Sequence, residues 1–75
     1  MKKRFILNDI IDTAEVLDYR KLDNGEDVLA LVEIEGEALI GIVNKEMDIC
    51  TLNTVSEEQR KNYTDIDDLY LNLYR

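Results

Sequence analysis

The sequence predicts a small α+β domain, with three or four antiparallel strands in a β-meander and a C-terminal helix packed on one face. The turn-forming pairs Asn24-Gly25 and Glu35-Gly36 separate apolar runs of strand length. A helix-capping pattern follows the last of these runs. The chain has 75 residues, so residues 1–75 are expected to form a single domain. A short N-terminal helix, or a second copy of the chain, would cover the other face of the sheet.

The N-terminal segment predicts a short helix over residues 8–14, with Asn8 or Asp9 as its cap. Apolar residues recur there at helical spacing, which favours one buried side. Residues 15–22 carry two competing interpretations, because the helical spacing extends to Leu17 while the segment also has the composition of a strand. We favour a helix that ends near Ala14 and a strand that follows it.

The central segment predicts two consecutive hairpins. Asn24-Gly25 favours the positive φ values of a tight turn and would join strand 15–22 to strand 27–34. A two-residue turn at Glu35-Gly36 would join the latter to strand 37–44, with Val28 opposite Val43. Both faces of this second hairpin are apolar over most of its length, so both need cover. Residues 48–54 are expected to add a fourth strand, with Cys50 as a buried thiol.

The C-terminal segment predicts two short helices with a break between them. Ser56 and Gln59 form a capping-box pattern, and Thr64 with Asp67 repeats it, so the helix should end near Tyr63 and restart. The restarted helix would present an apolar stripe toward the sheet and aspartates at its N-terminal end, where the helix dipole favours negative charge. The members of the stripe are Ile66, Leu69 and Leu73.

Composition excludes most catalytic chemistry. The chain has no histidine and a single cysteine, so histidine-based triads and disulfides are ruled out. We therefore expect no enzyme activity, no metal site and no cofactor. The apolar run at residues 5–7 is shorter than the ~7–15 residues of a signal peptide, and no run reaches the ~20 residues of a membrane span, which favours a cytoplasmic location.

The charge of the chain is strongly acidic and uneven. The net charge is −8, and the three basic residues at positions 2–4 leave a net charge of −11 on residues 5–75. A protein surface with this charge repels phosphate backbones, so direct nucleic-acid binding is not expected. The same surface attracts basic surfaces of other proteins. The competing interpretation is that the acidity only keeps a small protein in solution.

We expect a basic partner protein to bind the C-terminal helical region, where carboxylates and tyrosines alternate. Tyrosine rings take the flat face of a guanidinium group and carboxylates take its edge. In size, acidity and lack of catalytic groups the chain resembles small inhibitors encoded by phages and mobile elements, which implies a partner that binds DNA or RNA. The predicted partner-binding residues are Glu57, Glu58, Asp65, Asp67, Asp68, Tyr70 and Tyr74.

The alternative function is a homo-oligomeric structural or accessory domain, such as a homodimer. A chain of this length buries a small core, and self-association through an apolar sheet face or edge would extend it. The predicted oligomer interface consists of Leu29, Leu31, Ile40 and Ile42.

Overall fold

The computed structural model describes residues 2–23, 25–44, 46 and 49–73. The predicted α+β class, with its antiparallel meander, C-terminal helical region and short N-terminal helix, is confirmed. In chain order the elements are β1 Lys2–Ile6, α1 Leu7–Thr13, β2 Glu15–Lys21, β3 Val28–Ile34, β4 Glu37–Val43, β5 Ile49–Thr54, α2 Glu57–Asn62 and α3 Ile66–Asn72.

The five strands of the described residues form one antiparallel sheet in the order β1-β5-β4-β3-β2. The strands β2 to β5 form the meander. Strand β1, which the sequence did not predict, joins the far edge by pairing with β5, from Lys2 opposite Asn53 to Ile6 opposite Ile49. Because β1 and β2 are opposite edges, α1 and Ala14 carry the chain across one face of the sheet.

Two hairpins set the register of the meander. The β3–β4 pairing runs from Val28 opposite Val43 to Ile34 opposite Glu37, as predicted. Glu35 and Gly36 both have positive φ, 53° and 79°, as a two-residue hairpin turn requires. The β2–β3 hairpin also forms, with Gly25 at φ 77°. Asn24, the other half of that predicted turn, lies outside the described residues.

Each face of the sheet carries its own apolar core, so the chain itself provides the cover that two apolar faces require. On the first face Leu7 and Ile10 of α1 pack on residues from β3, β4 and β5, namely Ala30, Val32, Leu39, Cys50 and Leu52. On the second face Ile66 and Leu69 of α3 pack, together with Val55, on Leu29, Leu31, Ala38 and Ile40. Cys50 is buried, as predicted.

The predicted cap of the N-terminal helix is wrong. α1 begins at Leu7, directly after β1, and the cap position is Ile6, which makes no side-chain hydrogen bond to the first turn. Strand β1 runs without a break into the helix, so the first helical residue comes before Asn8 and Asp9 and neither can serve as the cap. The helix ends at Thr13, and strand β2 follows at Glu15, which confirms the interpretation of residues 15–22 as a strand.

Candidate partner-binding surface

The first C-terminal helix, α2, begins at the predicted capping box. The backbone N–H of Gln59 donates to Ser56 Oγ at 3.2 Å, and the backbone N–H of Ser56 donates to Gln59 Oε1 at 3.1 Å. Glu57 and Glu58 occupy the first turn, where the helix dipole stabilises negative charge. The capping box therefore places two exposed carboxylates at the N-terminal end of α2.

Helix α2 contacts the sheet through an ion pair, and none of its residues is buried. Arg60 Nη2 donates to Glu33 Oε2 of β3 at 2.9 Å, and both side chains are about one-third exposed. Ion pairs of this exposure contribute about 0–1 kcal/mol. The ion pair neutralises the charge of Glu33, and the side of α2 that carries Arg60 faces the sheet.

The helical region breaks where the sequence predicts, with Tyr63 closing α2. The cap of α3 is Asp65, which accepts a hydrogen bond from the backbone N–H of Asp68 at 2.8 Å. This corrects the predicted Thr64–Asp67 capping pattern by one residue. The hydroxyl of Thr64 instead donates to Asp68 Oδ2 at 3.0 Å. The carboxylate of Asp65 therefore stabilises the N-terminal end of α3, both by this hydrogen bond and by its negative charge.

The predicted oligomer interface has an intramolecular role. Leu29, Leu31 and Ile40 are buried beneath α3, and Ile42 packs partly buried against the same core. A second copy could reach the three buried side chains only if α3 left the sheet. The sequence places these residues correctly on one face, but it does not show that the C-terminal helix covers that face.

Helix α3 divides the predicted partner-binding residues between its two sides. Asp65 and Asp68 are exposed and share a side with Asn72, because residues three and four apart on a helix are neighbours. Among the described residues, none of Glu57, Glu58, Asp65 and Asp68 forms an ion pair. The carboxylates on this side of the helical pair therefore face solvent without a compensating cation from the described chain.

The other side of α3 is neutralised. Asp67 Oδ1 accepts from Arg20 Nε of strand β2 at 2.8 Å. Tyr70 packs against the core of the second face, and both residues line a shallow cleft of about 340 Å³ that also contains Arg20. Tyr74, the last predicted partner residue, lies outside the described residues. The structure thus leaves Glu58, Asp65 and Asp68 exposed and without ion pairs among the described residues, whereas Asp67 pairs with Arg20 and Tyr70 packs on the core.

A cleft of about 240 Å³ lies between α2 and α3. Its floor includes the buried Leu69, and its polar walls come from both helices. The residues that line it are Glu58, Gln59, Asn62, Tyr63, Leu69 and Asn72. Only Glu58 of this set was predicted as a partner residue. The asparagines were missed because the angle at the break between the helices, which brings Asn62 and Asn72 to one cleft, is not visible in the sequence.

Tyr63 is held in place by a hydrogen bond at the end of its ring. Its hydroxyl donates to Asp18 Oδ2 of β2 at 3.3 Å. Burial raises the pKa of the Tyr63 phenol, and the negative charge of Asp18 and its hydrogen bond raise it further, while the positive charge of Arg60 acts in the opposite direction. The sequence marks Tyr63 only as the end of the first C-terminal helix, whereas in the structure it joins the helical region to the sheet.

The first face of the sheet carries an apolar groove of about 400 Å³ beside α1. Val16 and Tyr19 of the edge strand β2 stand at its border and are 56% and 60% exposed. The register of β2 shifts between Val16 and Asp18, so Val16 and Tyr19 point to the same face although they are three residues apart. Strict alternation would put them on opposite faces, which is why the sequence did not reveal this groove. Its lining consists of Leu7, Ile10, Ala14, Val16, Tyr19, Val28, Ala30, Val32 and Val43.

Comparison of the chain with protein-family models, with curated proteins and with solved structures finds no match. Within the described residues, every helix is too short or too polar to cross a bilayer. The functional argument therefore depends on the surfaces described above.

Proposed function

We propose that this chain is a non-enzymatic interaction module that binds a basic surface of a partner protein through the exposed carboxylates of α2 and α3. The observation that supports this proposal is the contrast between the two sides of α3. Asp67 is neutralised by Arg20, while Asp65 and Asp68 form no ion pair among the described residues. Exposed carboxylates that are not neutralised by an ion pair attract and orient a basic partner.

The partner we propose is a cytoplasmic protein whose basic surface serves to bind DNA or RNA. A surface that contacts phosphates presents arginines and lysines, and these groups also fit the carboxylates of α2 and α3. A chain with a net charge of −8 that occupied such a surface would compete with the nucleic acid. The function is then inhibition by occupancy, of the kind that small phage and mobile-element proteins carry out.

A pull-down from cytoplasmic lysate tests the proposal. The tagged wild type should capture basic proteins at ~0.1 M salt and lose them at ~0.5 M salt, because charge contacts weaken as the Debye length shrinks. A variant with Glu57→Gln, Glu58→Gln, Asp65→Asn and Asp68→Asn should not capture them. Asparagine still caps a helix, so the substitution of Asp65 removes charge and keeps the cap.

The matched control removes the same number of charges from exposed positions elsewhere. Its substitutions are Glu15→Gln, Asp23→Asn, Glu35→Gln and Glu46→Gln, all at exposed residues outside α2 and α3. If binding depends on carboxylates at α2 and α3, the control variant should still capture the same proteins as the wild type. Equal loss in both variants would show that net charge alone causes the capture, and capture unaffected in either variant would refute the proposal.

The apolar groove beside α1, which strand β2 borders, favours a second candidate function, homo-oligomerisation. β2 is an edge strand, and its exposed Val16 and Tyr19 would face each other in an antiparallel pairing with β2 of a second copy. Light scattering on the wild type and on Tyr19→Glu separates the cases, because a dimer through this edge should become a monomer in the variant. A monomeric wild type at micromolar concentration would count against this function.

A further inference from the structure

We propose that the cleft between α2 and α3 receives an arginine side chain of the partner. This inference rests on the proposed function and names the group that the acidic surface recognises. The cleft measures about 240 Å³, which is below the roughly 300–1,000 Å³ of sites that enclose a small-molecule ligand. A single side chain inserted from a partner surface suits this size better than a free cofactor or metabolite.

The lining of the cleft matches the two chemical parts of arginine. The ring of Tyr63 offers apolar contact to the aliphatic stem, as amphipathic cations require, and Leu69 packs beneath the cleft as part of the core. Glu58 and the amide oxygens of Asn62 and Asn72 can accept hydrogen bonds from the guanidinium. The planar fork of arginine carries five donors, so it can serve several acceptors at once, whereas the ammonium of lysine has three donors on a single nitrogen.

Two of the side chains that line the cleft, Gln59 and Tyr63, are held in place before a partner arrives. The side-chain oxygen of Gln59 is engaged by the capping box, and the hydroxyl of Tyr63 is engaged by Asp18. Tyr63 therefore offers its ring to an incoming cation, and stacking of a guanidinium on an aromatic ring is favourable. Because the ring of Tyr63 is already held, it loses little conformational entropy when a cation stacks on it.

The charge of the cleft selects for a cation. Glu58 is the one titratable carboxylate among the residues that line it, and the exposed Asp65 and Asp68 share a side of α3 with the lining residue Asn72. Anionic groups are repelled by this arrangement. A single positive charge is attracted, and one guanidinium neutralises Glu58.

The test uses the full chain and two synthetic peptides of equal length and charge, one with arginines and one with lysines at the same positions. Isothermal titration at low salt gives the affinities, and NMR spectra report the side-chain amides of Asn62 and Asn72. The arginine peptide should bind about tenfold more tightly than the lysine peptide, because it adds stacking and a charge-assisted fork. It should also shift the two amide signals, which the lysine peptide should not.

The variants Glu58→Gln and Glu57→Gln provide the matched comparison. Both change one exposed carboxylate in the first turn of α2, but only Glu58 lines the cleft. Glu58→Gln should abolish the preference for the arginine peptide. Glu57→Gln should lower the affinity for both peptides by the same factor and therefore keep that preference. Equal affinities for the two peptides, or equal effects of the two variants, would overturn the cleft assignment and leave the proposed function standing. Absence of binding by either peptide at low salt would overturn both.

Discussion

Arg20 of the edge strand β2 donates from Nε to Asp67 Oδ1 of α3 at 2.8 Å. These residues are 47 positions apart in the chain, and their side chains are about half exposed. The ion pair joins the edge of the sheet to the first turn of the final helix and neutralises one of the three aspartates at positions 65, 67 and 68. Helix α3 therefore has one side without net charge and one side that is acidic.

The first prediction compares Asp67→Asn with Asp68→Asn. The two changes remove the same charge from neighbouring positions, but only Asp67 has a described cation as its partner. Asp68→Asn should lower the affinity for a basic partner about two- to fivefold at low salt. Asp67→Asn should leave that affinity nearly unchanged, but it should lower the free energy of unfolding by about 0.2–1 kcal/mol, because it removes the ion pair with Arg20. Titration calorimetry and urea unfolding measure these two quantities. Equal losses of affinity in the two variants would contradict the division of α3 into two sides.

The second prediction concerns two leucines of α3 that differ in exposure. Leu69 is 1% exposed in the core of the second face, and Leu71 is 57% exposed. Leu69→Ala should lower the free energy of unfolding by about 2–5 kcal/mol, because it leaves a cavity against the sheet. Leu71→Ala should change it by about 0.5 kcal/mol or less. Urea unfolding measures both changes. A Leu69→Ala variant with the same free energy of unfolding as the wild type would mean that α3 does not pack on the sheet in solution.

The third prediction concerns Gly41, which pairs with Leu52 in the middle of the sheet. A Cβ atom at this position would lie 2.5 Å from Thr51 O and 2.9 Å from Leu52 Cδ2. Gly41→Ala should therefore destabilise the protein by at least about 1–3 kcal/mol, since the backbone of β5 must move away. Gly36→Asn is the control, because Gly36 has open space around it and asparagine tolerates its positive φ of 79°. Similar thermal midpoints for Gly41→Ala and the wild type would show that β4 and β5 do not approach this closely.

The fourth prediction is a loss of stability at alkaline pH through Tyr63. Its phenol has a pKa above the usual value of 10.0 in the folded chain, because burial and Asp18 disfavour the charged form. The stabilisation is complete below pH 10, and it declines as the pH rises through the folded-state pKa, because the unfolded chain releases its proton first. Urea unfolding at a series of pH values should show this decline in the wild type and a smaller decline in Tyr63→Phe.

Asp18→Asn provides the control for Tyr63. Removing the carboxylate should lower the pKa of Tyr63 while leaving it above its usual value, because burial is the largest cause of the shift. Ultraviolet titration of the phenol should then show earlier ionisation in Asp18→Asn than in the wild type. An unchanged titration curve would mean that Tyr63 and Asp18 are not in contact.

Much of the fold could be predicted from local sequence signals. Glu35-Gly36 sets the β3–β4 register, because a two-residue turn fixes which residues pair. Ser56 marks the start of α2 by a hydrogen-bonding pattern that spans four residues. Strand β1 could not be found in this way, since its pairing with β5 joins residues 2–6 to residues 49–53, and a short basic segment carries no local sign of that partner.

The candidate site was predictable in composition and only partly in arrangement. The acidic residues of α2 and α3 are visible in the sequence, but Asp67 is neutralised by Arg20, which is distant in the chain. Tyr63 likewise contacts Asp18 of β2, a partner that no local pattern indicates. Helical spacing alone therefore overestimates the number of carboxylates that are free to bind a partner.

The central claim is that the exposed carboxylates of α2 and α3 that form no described ion pair bind a basic partner, and the salt dependence of affinity tests it most directly. The wild type and the variant Glu58→Gln/Asp65→Asn/Asp68→Asn are each titrated with the protein captured from lysate, from ~0.05 M to ~0.5 M salt. We expect the variant to bind more weakly at low salt and to show a flatter dependence of affinity on salt. Equal affinities with the same salt dependence would contradict the claim.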